Sequence, residues 1–192
     1  MMKIIFLDRD GVITADPPHY AHRIDQLSLI PGSAEAIRLL NENGFTVIVI
    51  TNQSGVAKGM YKEEDICIFN TEMQNRLIKM GAHIDAIYYC PHHPEGITPE
   101  YRKDCDCRKP KPGMLLKACD DMKLNLKGSY LVGDKWSDIK AGRSAGCTTI
   151  LVMTGHGMDE YTNIKGTAHY YADDLLSAVK NIIIPGVHEN LP

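Results

Sequence analysis

Short, nearly uninterrupted apolar runs punctuate the chain at residues 4–7, 47–50, 86–89, 130–132 and 149–152. They are rich in β-branched residues and do not alternate strictly, which predicts strands buried on both faces, as in a parallel sheet. Between them the apolar period changes to about 3.6. Ala34, Ile37 and Leu40 form one helical stripe; Ile66, Phe69, Met73, Leu77 and Met80 a second; Leu115, Cys119 and Met122 a third. Gly44 and Gly81 stand where the first two helices need a left-handed residue to stop, and Pro112 opens the third where its missing N–H costs nothing. A weaker strand at 170–172 and a helix from Asp174 to about Ile183 complete the alternation. The predicted fold is therefore α/β: a Rossmann-like parallel sheet with helices on both faces. One domain is expected over residues 1–185, with 186–192 as a loose tail.

Composition narrows the possibilities. A length of 192 residues is that of one domain, which speaks against a cap or lid domain. The chain is 44% apolar and 23% charged, an ordinary globular balance, and no apolar run approaches the ~20 residues that span a bilayer. Its first apolar run passes straight into Asp8-Arg9-Asp10, with no small-residue cleavage site of a signal peptide. A cytoplasmic protein with no membrane partner is expected. The net charge of −3, without a long basic run, argues against a general nucleic-acid footprint. In a reducing compartment the six cysteines point to ligands or buried thiols rather than disulfides. Cys67 and Cys119 fall in predicted helices and Cys147 begins a strand, so all three read as small core residues.

Residues 90–111 break the alternation. A proline-rich stretch of this length without periodicity is expected to be functional or disordered. It holds Cys90, His92, Cys105 and Cys107, a Cys-x-His and Cys-x-Cys pair separated by twelve residues. Three thiolates and an imidazole make a closed tetrahedral set suited to structural Zn²⁺, and a metal can replace the core that a polar loop lacks. His93 competes with His92, and spacing alone does not choose between them.

In open parallel sheets, sites form beyond the carboxyl ends of the strands. The residues there are Asp8-Arg9-Asp10-Gly11-Val12, Thr51-Asn52-Gln53-Ser54-Gly55, Arg108-Lys109 and Gly133-Asp134-Lys135-Trp136-Ser137-Asp138. Any one of these segments also reads as turn chemistry. The spacing of Asp8 and Asp10 recurs at Asp104 and Asp106 in a loop, so only delivery by an apolar strand separates the first pair. Two close carboxylates need a cation between them or a proton on one. Asp134 offers a third carboxylate for a hard cation such as Mg²⁺, and Thr51 and Lys109 can hold an anion beside it. Together they describe a phosphoryl site with a carboxylate nucleophile.

In order and spacing, these segments resemble the four motifs of the haloacid-dehalogenase-like (HAD-like) phosphatases. The chain is most similar to the heptose 1,7-bisphosphate phosphatases of that superfamily, over nearly its whole length, with histidinol-phosphate phosphatases as a sibling branch. The resemblance implies a Mg²⁺-dependent phosphomonoesterase that removes the C7 phosphate during synthesis of nucleotide-activated heptose for the lipopolysaccharide core. It makes Asp8 the nucleophile, Asp10 the general acid and base, and Thr51 and Lys109 the phosphoryl-stabilising pair. Mg²⁺ falls to Asp8, the main-chain carbonyl of Asp10, and Asp134, with Lys135 and Asp138 adjacent. Zn²⁺ falls to Cys90, His92, Cys105 and Cys107, His92 being preferred because the ligand lies two residues after the first cysteine. Asp16, His19, Asn52, Gln53, Ser54, Arg108 and Lys135 are expected around a small phosphorylated sugar, bound by a monomer. Pro17-Pro18 lengthens the loop carrying Asp16 and His19 relative to the usual pattern, and Val12 stands where many relatives have threonine.

Two other readings remain open. A histidinol-phosphate phosphatase would share every motif. A zinc-ribbon-like module holding nucleic acid through Arg102, Lys103, Arg108, Lys109 and Lys111 would bind in a salt-sensitive manner and leave Asp8, Asp10 and Asp134 unexplained. Because the loop ends at Arg108-Lys109, stripping its metal is expected to raise KM before it lowers kcat; steady-state kinetics after chelation would refute this by an unchanged KM.

Overall fold

The computed structural model describes residues 3–16 and 21–188. Strands β1 (Lys3–Leu7), β2 (Phe45–Asn52), β3 (Ala86–Cys90), β4 (Tyr130–Gly133), β5 (Thr148–Val152) and β6 (Tyr170–Ala172) form one sheet in the order β3-β2-β1-β4-β5-β6. Every pairing is parallel. Alternate residues serve opposite faces, as the strand period requires. Ile5 and Leu7 join one core with Ile37 and Leu40 of α1 (Ser33–Glu42) and Phe69 and Met73 of α2 (Glu63–Lys79). Ile4 and Phe6 join another with Leu115 and Ala118 of α3 (Gly113–Met122) and Ala141 of α4 (Trp136–Ala145). This is the doubly wound arrangement expected from the apolar runs.

Two helices lie where no periodicity had predicted them: α4, and α5 (Gly157–Ile164). The inward face of α4 carries one large apolar residue, Ile139, beside Ala141 and Gly142, which are small and carry little hydropathy, so no apolar stripe repeats along it. Gly142 lets the helix approach the sheet so closely that a Cβ there would come within 2.6 Å of Thr149 Cγ2. At the C-terminus, α6 (Leu175–Ala178) runs through a π-helical turn (Val179–Ile183) into α7 (Ile184–His188). Helix thus continues past Pro185, where the loose tail had been expected to begin. The Ile184 N–H bonds the Val179 carbonyl five residues back, and this wider turn precedes the proline ring.

Packing also corrects two side chains on α2. Cys67 is exposed rather than core, one residue around the helix from buried Ile66, and Met80 is 57% exposed at the C-cap. Cys147 is buried as expected. Among the described residues no helix is long and apolar enough to cross a membrane. Ile37→Ala, at a fully buried position of α1, should cost ~2–5 kcal/mol of unfolding free energy in denaturant titrations, whereas Cys67→Ser should stay within about 0.5 kcal/mol.

Candidate functional site

The sheet order reverses beside β1, the place where open α/β sheets form their crevice. Leu7 pairs with Val49 on one side and Val132 on the other, so the residues that follow these three strands share one edge. There Asp8, Asp10, Asp16, Thr51, Asn52, Lys109, Lys135 and Ser137 line a cavity of about 70 Å³.

Lys109 sits at its floor, 2% exposed. Its ammonium lies 2.9 Å from Asp8 Oδ1 and 2.6 Å from Asp138 Oδ1, and donates to the Ile50 carbonyl at 2.8 Å. Burial works against that charge, but Asp138 and Asp8 together hold the lysine above its usual pKa range. The carboxylates fare differently, because burial outweighs the pull of Lys109 and Lys135 on them. Burial pushes Asp8 up to about 6, although Lys109 pulls it down. Burial, and then the charge on Asp8, lifts Asp134 to about 8. Oxygens of Asp8, Asp134 and Asp138 lie within 4.8 Å of one another, and Asp134 Oδ1 is buried with no hydrogen-bond partner among the described residues. Excess carboxylate with an orphaned oxygen is a donor set that a hard cation satisfies. Gly11 and Gly155 admit Asp134 to this point: both have positive φ, and a Cβ on either would lie 2.2 or 2.3 Å from Asp134 Oδ2.

The Asp10 carboxylate is not part of that cluster. Its Oδ1 accepts from Arg9 Nε and the Thr14 hydroxyl, both at 3.0 Å, and its Oδ2 from Arg9 Nη2 and Gln53 Nε2, both at 2.9 Å. Arg9 is itself 1% exposed, stacked over Phe69 at 4.5 Å and bonded to Asn70 and the Ala21 carbonyl. Thr14 and His156 lie outside the strand-end segments, and Arg9 and Ser137 stand within them with no role evident from the sequence; an arginine between two strand-end aspartates is the available signal.

Several expected substrate contacts are engaged inside the protein. Asn52 grips the main chain of Lys109, donating to its carbonyl at 3.0 Å and accepting from its N–H at 3.1 Å. Gln53 is 2% exposed and bonds Thr51, Asp10 and Tyr61; Ser54 is also buried. Arg108 donates to the His92 carbonyl. Lys135 pairs with Asp16 at 2.8 Å, and His156 reaches the same oxygen at 3.2 Å. His19, with Pro17, Pro18 and Tyr20, lies outside the described residues. Asp138 caps α4 by accepting from the Lys135 N–H while its other oxygen faces Lys109.

Beside this centre the loop after β3 gathers Cys90, His92, Cys105 and Cys107, with sulfur and Nδ1 atoms 3.1–3.7 Å apart where contacts form. Such edges fit metal–ligand bonds of roughly 2.0–2.3 Å. His92 faces the thiols, while His93 Nδ1 accepts from the Glu95 N–H. Thr98 docks the loop on Val56 and Ala57. The basic patch envisaged for nucleic acid does not assemble: Lys109 is buried in the carboxylate centre and Lys111 pairs with Asp104.

A HAD-hydrolase-like family model matches residues 106–178. The D-glycero-beta-D-manno-heptose-1,7-bisphosphate 7-phosphatase of Pasteurella multocida is 43% identical over 183 residues, covering 95% of this chain and 97% of the relative. The enzyme of that name from Escherichia coli K12 is 46% identical over 152 residues, 79% of each chain. A solved structure of D,D-heptose 1,7-bisphosphate phosphatase from B. bronchiseptica, complexed with magnesium and phosphate, superposes with a TM-score of 0.87 at 34% identity, covering 96% of this chain and 99% of that one.

The carboxylate centre has a consequence for pH. Asp8 and Asp134 titrate higher in the fold than their ordinary value of 3.8, so between that pH and about 8 the folded chain binds more protons than the unfolded one. Their contribution to metal-free stability therefore falls as pH rises through this window. Mg²⁺ needs both groups ionised, so its stabilising shift in Tm should be largest near pH 8 and shrink toward pH 5; a shift independent of pH in thermal melts would refute the assignment.

Proposed function

The chain belongs to the HAD-like family that contains the D-glycero-β-D-manno-heptose-1,7-bisphosphate 7-phosphatases, and from that premise we propose that it removes the C7 phosphate of this heptose bisphosphate through an aspartyl-phosphate on Asp8. It is a phosphatase. The observation that carries the mechanism is Asp8 buried at the strand end with Lys109 against one of its oxygens. Both the Arg9 N–H and the Lys109 ammonium fall on Oδ1, at 2.8 and 2.9 Å, which leaves Oδ2 to meet phosphorus.

In the first step Asp8 Oδ2 bonds to phosphorus as the bond to the sugar C7 oxygen breaks, and Asp10 gives that oxygen a proton. In the second, Asp10 takes a proton from water, the water oxygen bonds to phosphorus, and the bond to Asp8 breaks to release phosphate. Lys109 and the Thr51 hydroxyl stand beside the phosphoryl oxygens as charge develops on them. Asp8, the Asp10 main-chain carbonyl and Asp134 would hold Mg²⁺, which would supply further neutralisation of those oxygens. Cys90, His92, Cys105 and Cys107 suit Zn²⁺ with no open position, a structural metal. The catalytic cavity accommodates little beyond the phosphoryl group. The sugar is then left to the groups bordering the cavity, Asp16 and Lys135, and to Arg108, the residue before Lys109.

Phosphate release should be Mg²⁺-dependent and faster from heptose 1,7-bisphosphate than from histidinol phosphate; the reverse preference would transfer the chain to the sibling activity. Asp8→Asn should reduce turnover to background with the far-UV circular dichroism spectrum and bound zinc unchanged, and retained turnover would refute the covalent route.

A further inference from the structure

Tyr61, Gln53 and Asp10 form a chain of hydrogen bonds that runs from the flank of α2 to the catalytic centre. The Tyr61 hydroxyl donates to Gln53 Oε1 at 2.8 Å. The Gln53 amide nitrogen donates in turn to Asp10 Oδ2 and to Thr51 Oγ1, both at 2.9 Å. The bonds to Tyr61 and Thr51 are buried, with Gln53 2% and Tyr61 7% exposed, and the bond to Asp10 is part-buried at the edge of the cavity.

The chain has one polarity. An amide presents acceptor at one end and donor at the other, and an ionised carboxylate can only accept. With its Oε1 taken by Tyr61, the NH₂ end of Gln53 must face Asp10. A Gln53 turned the other way would set its carbonyl against the Asp10 carboxylate. Local space is reserved for the tyrosine as well, since a Cβ on Gly55 would lie 2.1 Å from its ring. His22 stacks on the same ring with centroids 4.8 Å apart.

The two oxygens of Asp10 are consequently unlike. Oδ2 is filled by Arg9 Nη2 and Gln53 Nε2, which can only donate. Oδ1 meets Arg9 Nε and the Thr14 hydroxyl, and that hydroxyl has a second acceptor in the Arg9 carbonyl at 3.3 Å. Thr14 can therefore turn aside from Oδ1, whereas Gln53 has no such alternative at Oδ2. We propose that Gln53, held in orientation by Tyr61, is a positioning residue that fixes the carboxyl plane of Asp10 and leaves Oδ1 as the oxygen that exchanges the proton with the leaving group and with water. This rests on the general acid–base reading of Asp10 given above.

The test uses two esters. A sugar phosphate needs its leaving oxygen protonated; p-nitrophenyl phosphate, whose phenolate leaves unaided, does not. Tyr61→Phe keeps the ring and its stacking while deleting the donor, and Gln53→Met keeps the length while deleting the amide. Both should lower kcat on heptose bisphosphate roughly tenfold, the worth of one or two hydrogen bonds, with KM within about twofold. The pre-steady-state release of p-nitrophenolate should stay within about threefold of the parent. Equal slowing of both esters, or an unchanged kcat on the sugar phosphate, would overturn the proposal. Asp10→Asn separates the two levels of the argument: full turnover in that variant would refute the acid–base reading itself, whereas an inactive Asp10→Asn beside fully active Tyr61→Phe and Gln53→Met would refute only the relay.

Discussion

The carboxylates at the centre of this site are arranged around the buried ammonium of Lys109. It touches Asp8 after β1, the Ile50 carbonyl within β2 and Asp138 in the first turn of α4, so one cation joins three elements that are far apart in sequence. Its own backbone is bracketed by Asn52, 57 residues away. Removing one partner of such a buried group leaves its opposite uncompensated, at a cost of roughly 3–5 kcal/mol. Burial first, and then the excess of carboxylates around the ammonium, pushes Asp8 and Asp134 toward their neutral forms, while Asp138 and Asp8 let Lys109 keep its charge. A divalent cation at Asp134 corrects the same imbalance. Metal affinity and lysine placement are thus two sides of one electrostatic requirement.

Parallel strand register delivers the groups to that requirement. Leu7 packs on one face of the sheet and Phe6 on the other, so slipping β1 by one residue would reverse the side to which Asp8 points. Lys109 arrives differently, at the end of a loop with no helix or strand of its own. The thiol and imidazole cluster ends at Cys107, two residues earlier, and Thr98 ties the loop to Val56 and Ala57. Arg108 is bound to the loop through the His92 carbonyl. Loop order therefore bears more directly on Arg108 at the rim than on Lys109, which Asn52 and the carboxylates hold from the other side.

What the sequence made legible follows from the same physics. Strands β1, β2, β4 and β5 could be read because burial on both faces leaves compact apolar runs, and the motif carboxylates because they stand immediately beyond such runs, whereas the half-exposed β6 left only a weak signal. Helix α4 was invisible since its contact face has a single large apolar residue, Ile139, and otherwise rests on Ala141 and Gly142, whose value lies in close approach rather than hydrophobicity. Asn52 and Gln53 were read as substrate contacts because polar residues at a strand end are exposed in most settings. Here a long loop folds back over them, and both turn inward to hold Lys109 and Asp10. No local pattern announces such a contact, which depends on a residue 57 positions away.

Arg9 shows how far this reasoning extends. A guanidinium buried to 1% exposure is costly unless its donors are used, and here they serve Asp10, Asn70 and the Ala21 carbonyl above the ring of Phe69. Lysine could not replace it, since a single ammonium cannot present two parallel N–H groups to both Asp10 oxygens. The contact to Ala21 links this fork to the segment that follows Asp16, and Asp16 in turn holds Lys135 and His156. The groups that orient the Asp10 carboxyl and the loop that carries Asp16 are therefore joined through one buried arginine. A change in that loop can reach the chemistry without touching phosphorus, by loosening the guanidinium that holds Asp10 in its plane.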